Sequence, residues 1–298
     1  MAPKASSAVA RVAYLASDLL VHSRPALSPA SAFGDAYQQL SAASASPKPL
    51  LTLPSGADPG ATLLQHVSPS ANLISYTATS QPDLLHRLVI HLAELATTPL
   101  AVHIAIPPTD DLSDVLVLRA SVPYFLYSRT PQQAHDHALL ASRLALVERK
   151  PVVHAFVDLE GDIDQVPEHS VQPFLLAQSL PVVNGHILPP SDYPSALYQS
   201  YDDAARATYS LLKRDIRPAF LSPESPAPTR AAIFSLGPIA LSQRAPEGVA
   251  VVDLSLIAPI PAAHVARWVP DDAASVIVLE QVRRWPTKWT PLYLDLVA

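Results

Sequence analysis

Apolar positions along the chain alternate between two patterns: amphipathic stretches with helical spacing, and short continuous apolar runs of strand length. Residues 8–22 predict a helix with Val9, Val12, Ala13, Ala16 and Leu20 on one face. From Ser41 to Pro59 the run SAASASPKPLLTLPSGADP is small, polar and broken by proline, which reads as a loop. NLISYTATS is a β-branched and aromatic strand. The helix that follows, QPDLLHRLVIHLAELA, has Pro82 in its first turn and Leu84, Leu85, Leu88, Leu92 and Leu95 toward the core. PLAVHIAIP and SVPYFLYS are further strands, PQQAHDHALLASRLALVERK is a helix, and KPVVHAFVD closes this half as a strand. Continuous apolar strands alternating with helices imply a parallel sheet covered on both faces.

The segment 160–200 is proline-rich and loses periodicity. Beyond it, YDDAARATYSLLKRD and AAHVARWV read as helices, RAAIFSLG, GVAVVDLSLI and SVIVLEQV as strands, and PLYLDLV as a terminal element. The predicted class is α/β with two doubly wound parallel-sheet domains, residues 1–175 and 201–298, joined by a Pro-rich connection over 176–200. Neither an internal repeat nor a heptad pattern is present.

Composition narrows the function. Of 298 residues, 49% are apolar and 15% charged, enough apolar material for buried sheets. A net charge of -6 supplies no basic footprint, so nucleic acid is not an expected partner. With no cysteine, these residues offer no disulfide and no thiolate ligand for a metal or cluster. No run of apolar residues is long enough to predict a membrane span. Arg11, Asp18 and Arg24 interrupt the opening, unlike the clean core of a secretory signal, and Asp18 weighs against a transit peptide; a cytoplasmic protein is expected. Seven glycines against 32 prolines are few for a chain that cradles phosphates.

Several segments in order are similar to one family. AVARVAYLASDLLVHSRPALSPAS, SYTATSQPDLLHRLVIHLAE and the run from DLSDVLVLRAS to KPVVHAFVD resemble the N-terminal domain of pyruvate:ferredoxin oxidoreductases, which decarboxylate 2-oxo acids on thiamine diphosphate. EGVAVVDLSLIAPIPAAHVARW and the PLYLD motif, Pro291 to Asp295, resemble that family's next domain, similar to the C-terminal domain of transketolases. The resemblance implies a thiamine-diphosphate-like first fold and a transketolase-C-terminal-like second one, truncated at its last helix. It places substrate contacts at Arg119 and Ser28. The family's ylid-promoting glutamate has no counterpart, since PSGADPGATLLQHVSPSA contains no Glu and its nearest carboxylate, Asp58, lies upstream. That loss and the scarcity of glycine resemble the degenerate form in fungal assimilatory NADPH-dependent sulfite reductase subunits, the flavoprotein alpha subunit more than the haemoprotein beta subunit. The implied role is a non-catalytic assembly region that binds no cofactor. FAD, FMN and NADPH, or sirohaem and an iron-sulfur cluster, then belong to absent domains or to the other sulfite reductase subunit, in a hetero-oligomer. The alternative is a partner-dependent subunit of a thiamine-dependent 2-oxo acid:ferredoxin oxidoreductase.

Other candidates have plainer readings. His135 and His137 sit two apart on a helix, point apart and cannot share an ion, so a solvated face is expected. Asp110, Asp111 and Asp114 lack a calcium loop's Gly turn and are expected to cap a helix. Arg119 is a substrate contact by resemblance or a structural ion pair by chemistry. Trp285, Lys288 and Trp289 form a basic-aromatic patch suited to an interface or to packing in the terminal turn. No G-x-S-x-G, P-loop, G-x-G-x-x-G or H-E-x-x-H motif occurs, and no metal site is predicted.

Overall fold

A computed structural model describes residues 2–24, 32–67, 72–177, 193–223, 228–260, 262–283 and 288–297. Its first sheet has seven strands: β1 (Leu19–Ser23), β2 (Leu50–Leu53), β3 (Ile74–Thr79), β4 (Leu100–Ile106), β5 (Tyr124–Ser128), β6 (Val152–Val157) and β10 (Leu256–Ala258). They lie in the order β10-β5-β6-β4-β3-β1-β2, parallel throughout except that β10 runs antiparallel to β5. The expected α/β class with parallel sheets is what forms.

Two differences from the sequence expectations lie at the start of the chain. Helix α1 (Ala5–Ala16) stops at Ser17, and the residues that continued its apolar face, Leu19 to Ser23, are β1. Helical periodicity extrapolates smoothly across Ser17 and Asp18, but the local bonds do not. The Asp18 amide donates to Leu73 O at 2.9 Å and Asp18 Oδ2 accepts from Asn72 N at 3.0 Å, which turns the chain into the sheet. Within the expected Ser41–Pro59 loop, Leu50 to Leu53 form β2. It is a short edge strand, where flanking prolines at 47, 49 and 54 cost no central ladder bond.

Alternation along the strands divides the apolar residues into two cores. On one face, α1, α2 (Ala32–Ala43), α5 (Pro131–Glu148), α6 (Glu168–Leu176) and α7 (Tyr193–Leu212) contribute Val9, Val12, Tyr37, Leu140, Phe174 and Tyr201 to a core that includes Ala101 and Phe156. On the other face, Leu63 of α3 (Pro59–His66), Leu85 and Leu88 of α4 (Pro82–Leu92), and Val115 and Leu118 of a 3-10 helix over Val115–Ser121 pack with Val102, Ile104 and Phe125. Helix α5 starts where Thr130 accepts from Gln133 N and Pro131 takes the first position, both N-terminal signals. Helix α7 runs across residue 201, the expected start of the second domain. Its Leu197, Tyr201 and Ala205 complete the first core, because the helix's apolar stripe needs α5 to cover it.

The remaining chain builds a four-stranded sheet in the order β11-β8-β9-β7, from β7 (Ala219–Leu221), β8 (Ala231–Leu236), β9 (Val249–Leu254) and β11 (Ser275–Glu280), with β7 antiparallel to β9. Helices α8 (Ala262–Trp268) and α9 (Pro291–Val297) accompany it. This second sheet is no separate body. Phe234, Leu236, Val252 and Leu254 share one apolar core with β4 and β5, and β10 lies on the edge of the first sheet.

Arg129 forms the polar seam between the sheets. Only 3% exposed, it sits just past β5 and sends Nε to Gly237 O at 2.8 Å, Nη1 to Leu254 O at 2.8 Å and Nη2 to Ser235 O at 3.2 Å. These carbonyls lie at the ends of β8 and β9, where parallel strands leave acceptors unused. The guanidinium rests over the Tyr127 ring at 5.2 Å. Buried Asp111 adds a second stitch, its Oδ1 accepting from Ser113 N at 2.9 Å and its Oδ2 from Arg283 N at 2.7 Å. Asp111 thus caps its own turn and also grips the second unit, a role that the capping expectation did not include.

Replacing Arg129 with Met leaves those carbonyls buried and unpaired. The variant is expected to lose roughly 3 kcal/mol or more of stability in urea unfolding. Arg129→Lys is expected to recover only part of it, because an ammonium cannot reproduce the planar fork.

Candidate functional site

Three apolar strands each carry a histidine on the same face: LLVHS of β1, LAVHIAI of β4 and VVHAFV of β6. Parallel register pairs His22 with Thr77, Thr77 with His103, and His103 with His154. The result is a polar row across four strands, buried on the α1 and α5 side. At strand spacing it extends roughly 15 Å.

The row is hydrogen-bonded over most of its length. His22 Nδ1 lies 3.2 Å from both Thr77 O and Thr77 Oγ1, its ring set between Phe33 and Tyr37. His103 Nδ1 meets His154 Nδ1 at 3.2 Å, His154 Nε2 meets Ser128 Oγ at 2.9 Å, and Ser128 Oγ meets His137 Nδ1 at 2.8 Å. A neutral imidazole has one donor and one acceptor nitrogen. A donor at His103 Nδ1 therefore makes His154 Nε2 a donor to Ser128, and an acceptor at His103 Nδ1 makes His154 Nε2 an acceptor.

Burial holds these rings uncharged. It lowers the pKa of His22 to about 4, reinforced by Arg24 and opposed by the Thr77 carbonyl contact. His103 falls to about 3 through burial alone. His137 falls to about 4, burial outweighing Asp136. His154 lies well below the ordinary value, lowered by burial and then by His103 and His137.

The expected solvated face at His135 and His137 is corrected here: both rings are buried, 0% and 2% exposed. The i, i+2 geometry holds, and they point to different partners. His137 enters the row, while His135 Nδ1 lies 2.7 Å from Asp136 Oδ1 and His135 Nε2 accepts from Val166 N at 3.1 Å. Helix α5 is covered by α1 on one flank and α7 on another, so few of its positions see water. Arg214 at the end of α7 closes this cover through Asp136, with contacts of 2.9 Å, and through Asp164 at 2.5 Å.

Ser128 bonded to two imidazoles has the partners of an activated nucleophile, but it is completely buried under α5. No substrate carbonyl reaches it, and the cluster acts as packing. Among the described residues no group of three or more His, Asp or Glu side chains is arranged to hold a metal ion, and no helix is long and apolar enough to cross a membrane.

Strand order reverses between β1 and β3, and open α/β sheets place ligands beyond the carboxyl ends of strands at such a switch point. A cleft of about 50 Å³ opens at the neighbouring β1 and β2 ends, lined by His22, Arg24, Gly34, Asp35, Gln38, Leu50 and Thr52. That volume holds one or two waters. Ser28 and Trp285 lie outside the described residues. Arg119 stands in the 3-10 helix after β4, on the opposite face of the sheet from the row, where its guanidinium is ion-paired with Asp295 of α9. Burial lowers its pKa and Glu280 raises it. Glu280, its own pKa raised by burial, accepts from Leu292 N at 3.1 Å. Lys288 lies 4.6 Å from the Trp289 ring centre, and Trp289 stacks on Tyr293 at 4.8 Å. Trp289 thus stacks within the terminal turn while remaining 46% exposed.

Asp58, the carboxylate nearest the missing glutamate, caps α3 by accepting from Ala61 N at 3.0 Å and lies 3.4 Å from His91 Nε2. Arg119 is occupied by Asp295.

No family model matches the chain, and a search of curated proteins finds no relative. Among solved structures, the 2-oxoglutarate:ferredoxin oxidoreductase from Magnetococcus marinus, with 2-oxoglutarate, coenzyme A and succinyl-CoA bound, is similar over 95% of this chain, at a TM-score of 0.58 and 12% identity. The chain covers 58% of that structure's chain. What the two share at this identity is the doubly wound α/β fold.

The histidine row makes stability depend on pH. Unfolding returns the rings to an ordinary pKa of 6.5, so the unfolded chain binds more protons than the native one below that pH. The rings' contribution is intact above pH ~6.5 and is lost as pH falls through about 4. A urea midpoint falling over this window is the expected result, with a shallower fall in His22→Gln. For the second unit's clasp, a double-mutant cycle of Arg119→Gln and Asp295→Asn is expected to give a coupling of about 1 kcal/mol.

Proposed function

We propose that this chain is a partner-dependent region of an oxidoreductase subunit, built on the 2-oxo acid:ferredoxin oxidoreductase fold and supplying framework and contact surface rather than a catalytic group. The observation that carries this reading is the ion pair between Arg119 and Asp295, which uses the one cation that sequence resemblance assigns to substrate for tying α9 to the first unit. The spent Asp58 carboxylate and the absence of a matching glutamate agree with it. Titration calorimetry of the chain with thiamine diphosphate and Mg²⁺ is expected to give no binding heat. Saturable binding would overturn the framework role.

The likeness to a 2-oxoglutarate:ferredoxin oxidoreductase over 95% of the chain favours a second reading, a half-site completed by a partner chain. Arg119 and Ser28 would then line a pocket whose acid and cofactor grip come from the partner. In that case Arg119→Ala abolishes activity of the reconstituted complex with the fold intact. Under the framework reading the same variant leaves activity unchanged.

The finer identity proposed within the framework reading is an assimilatory NADPH-dependent sulfite reductase, cytoplasmic, with this region in the flavoprotein alpha subunit. Its support is the sequence resemblance alone. FAD, FMN and NADPH would sit on domains outside these residues, and sirohaem with an iron-sulfur cluster on the beta subunit. Purifying the native polypeptide through an antibody to these residues tests it. Flavin absorbance is expected, sirohaem absorbance in the same chain would move the region to the beta subunit, and neither would reject the sulfite reductase identity.

A further inference from the structure

We draw no further inference here: the strongest candidate, the groove of about 640 Å³ between α1 and α2 lined by Lys4, Arg11 and Asp35, carries none because its opposed charges select no ligand and nothing in the structure shows what covers it.

Discussion

Two sheets in this chain behave as one body because a single buried cation lies between them. Arg129 has no carboxylate among its hydrogen-bond acceptors; it is balanced by three main-chain carbonyls and an aromatic face. Burying a charge is costly unless it is hydrogen-bonded, and the guanidinium finds these three acceptors only when β8 and β9 are docked against β5. Its fork acts as a gauge of correct assembly. The shared apolar core, the β10 strand on the first sheet and the Asp111 grip on Arg283 all presuppose the arrangement that Arg129 completes.

On the opposite face of the first sheet the constraint is different in kind. A row of neutral imidazoles runs through a layer otherwise made of Ala, Leu, Phe and Tyr. Paired polar groups in a core fix a register, and the row does so even though His103 Nε2 is buried without a partner. From His103 to His137 the chain of bonds is continuous, and a slip of one residue in β4 or β6 would turn His103 or His154 to the wrong face. The row is thus a specification of strand register in a sheet whose apolar residues alone are interchangeable.

How much of this the sequence discloses depends on where each element sits. Central strands β3 to β6 are evident as unbroken apolar runs, and α4 and α5 as amphipathic stretches opened by proline. Edge strand β2 is obscured because prolines 47, 49 and 54, harmless at an edge, read as loop signals. Strand β1 is hidden by an accident of spacing that lets Leu20 extend the α1 face. The histidines were visible, one in the middle of each of three strands, but only parallel register shows that they align. Arg129 gave no local signal at all, since its acceptors lie more than 100 positions away. Arg119 was singled out by resemblance, and its partner Asp295 lies in the PLYLD motif singled out by the same resemblance.

The buried row also gives the molecule an internal probe. Ring protons shared between His103, His154, Ser128 and His137 are sealed from water by α5, so they trade with solvent only when that helix and the strands beneath it separate. Nitrogen-bound imidazole resonances that persist in deuterated solvent would time the opening of that core, with no label attached.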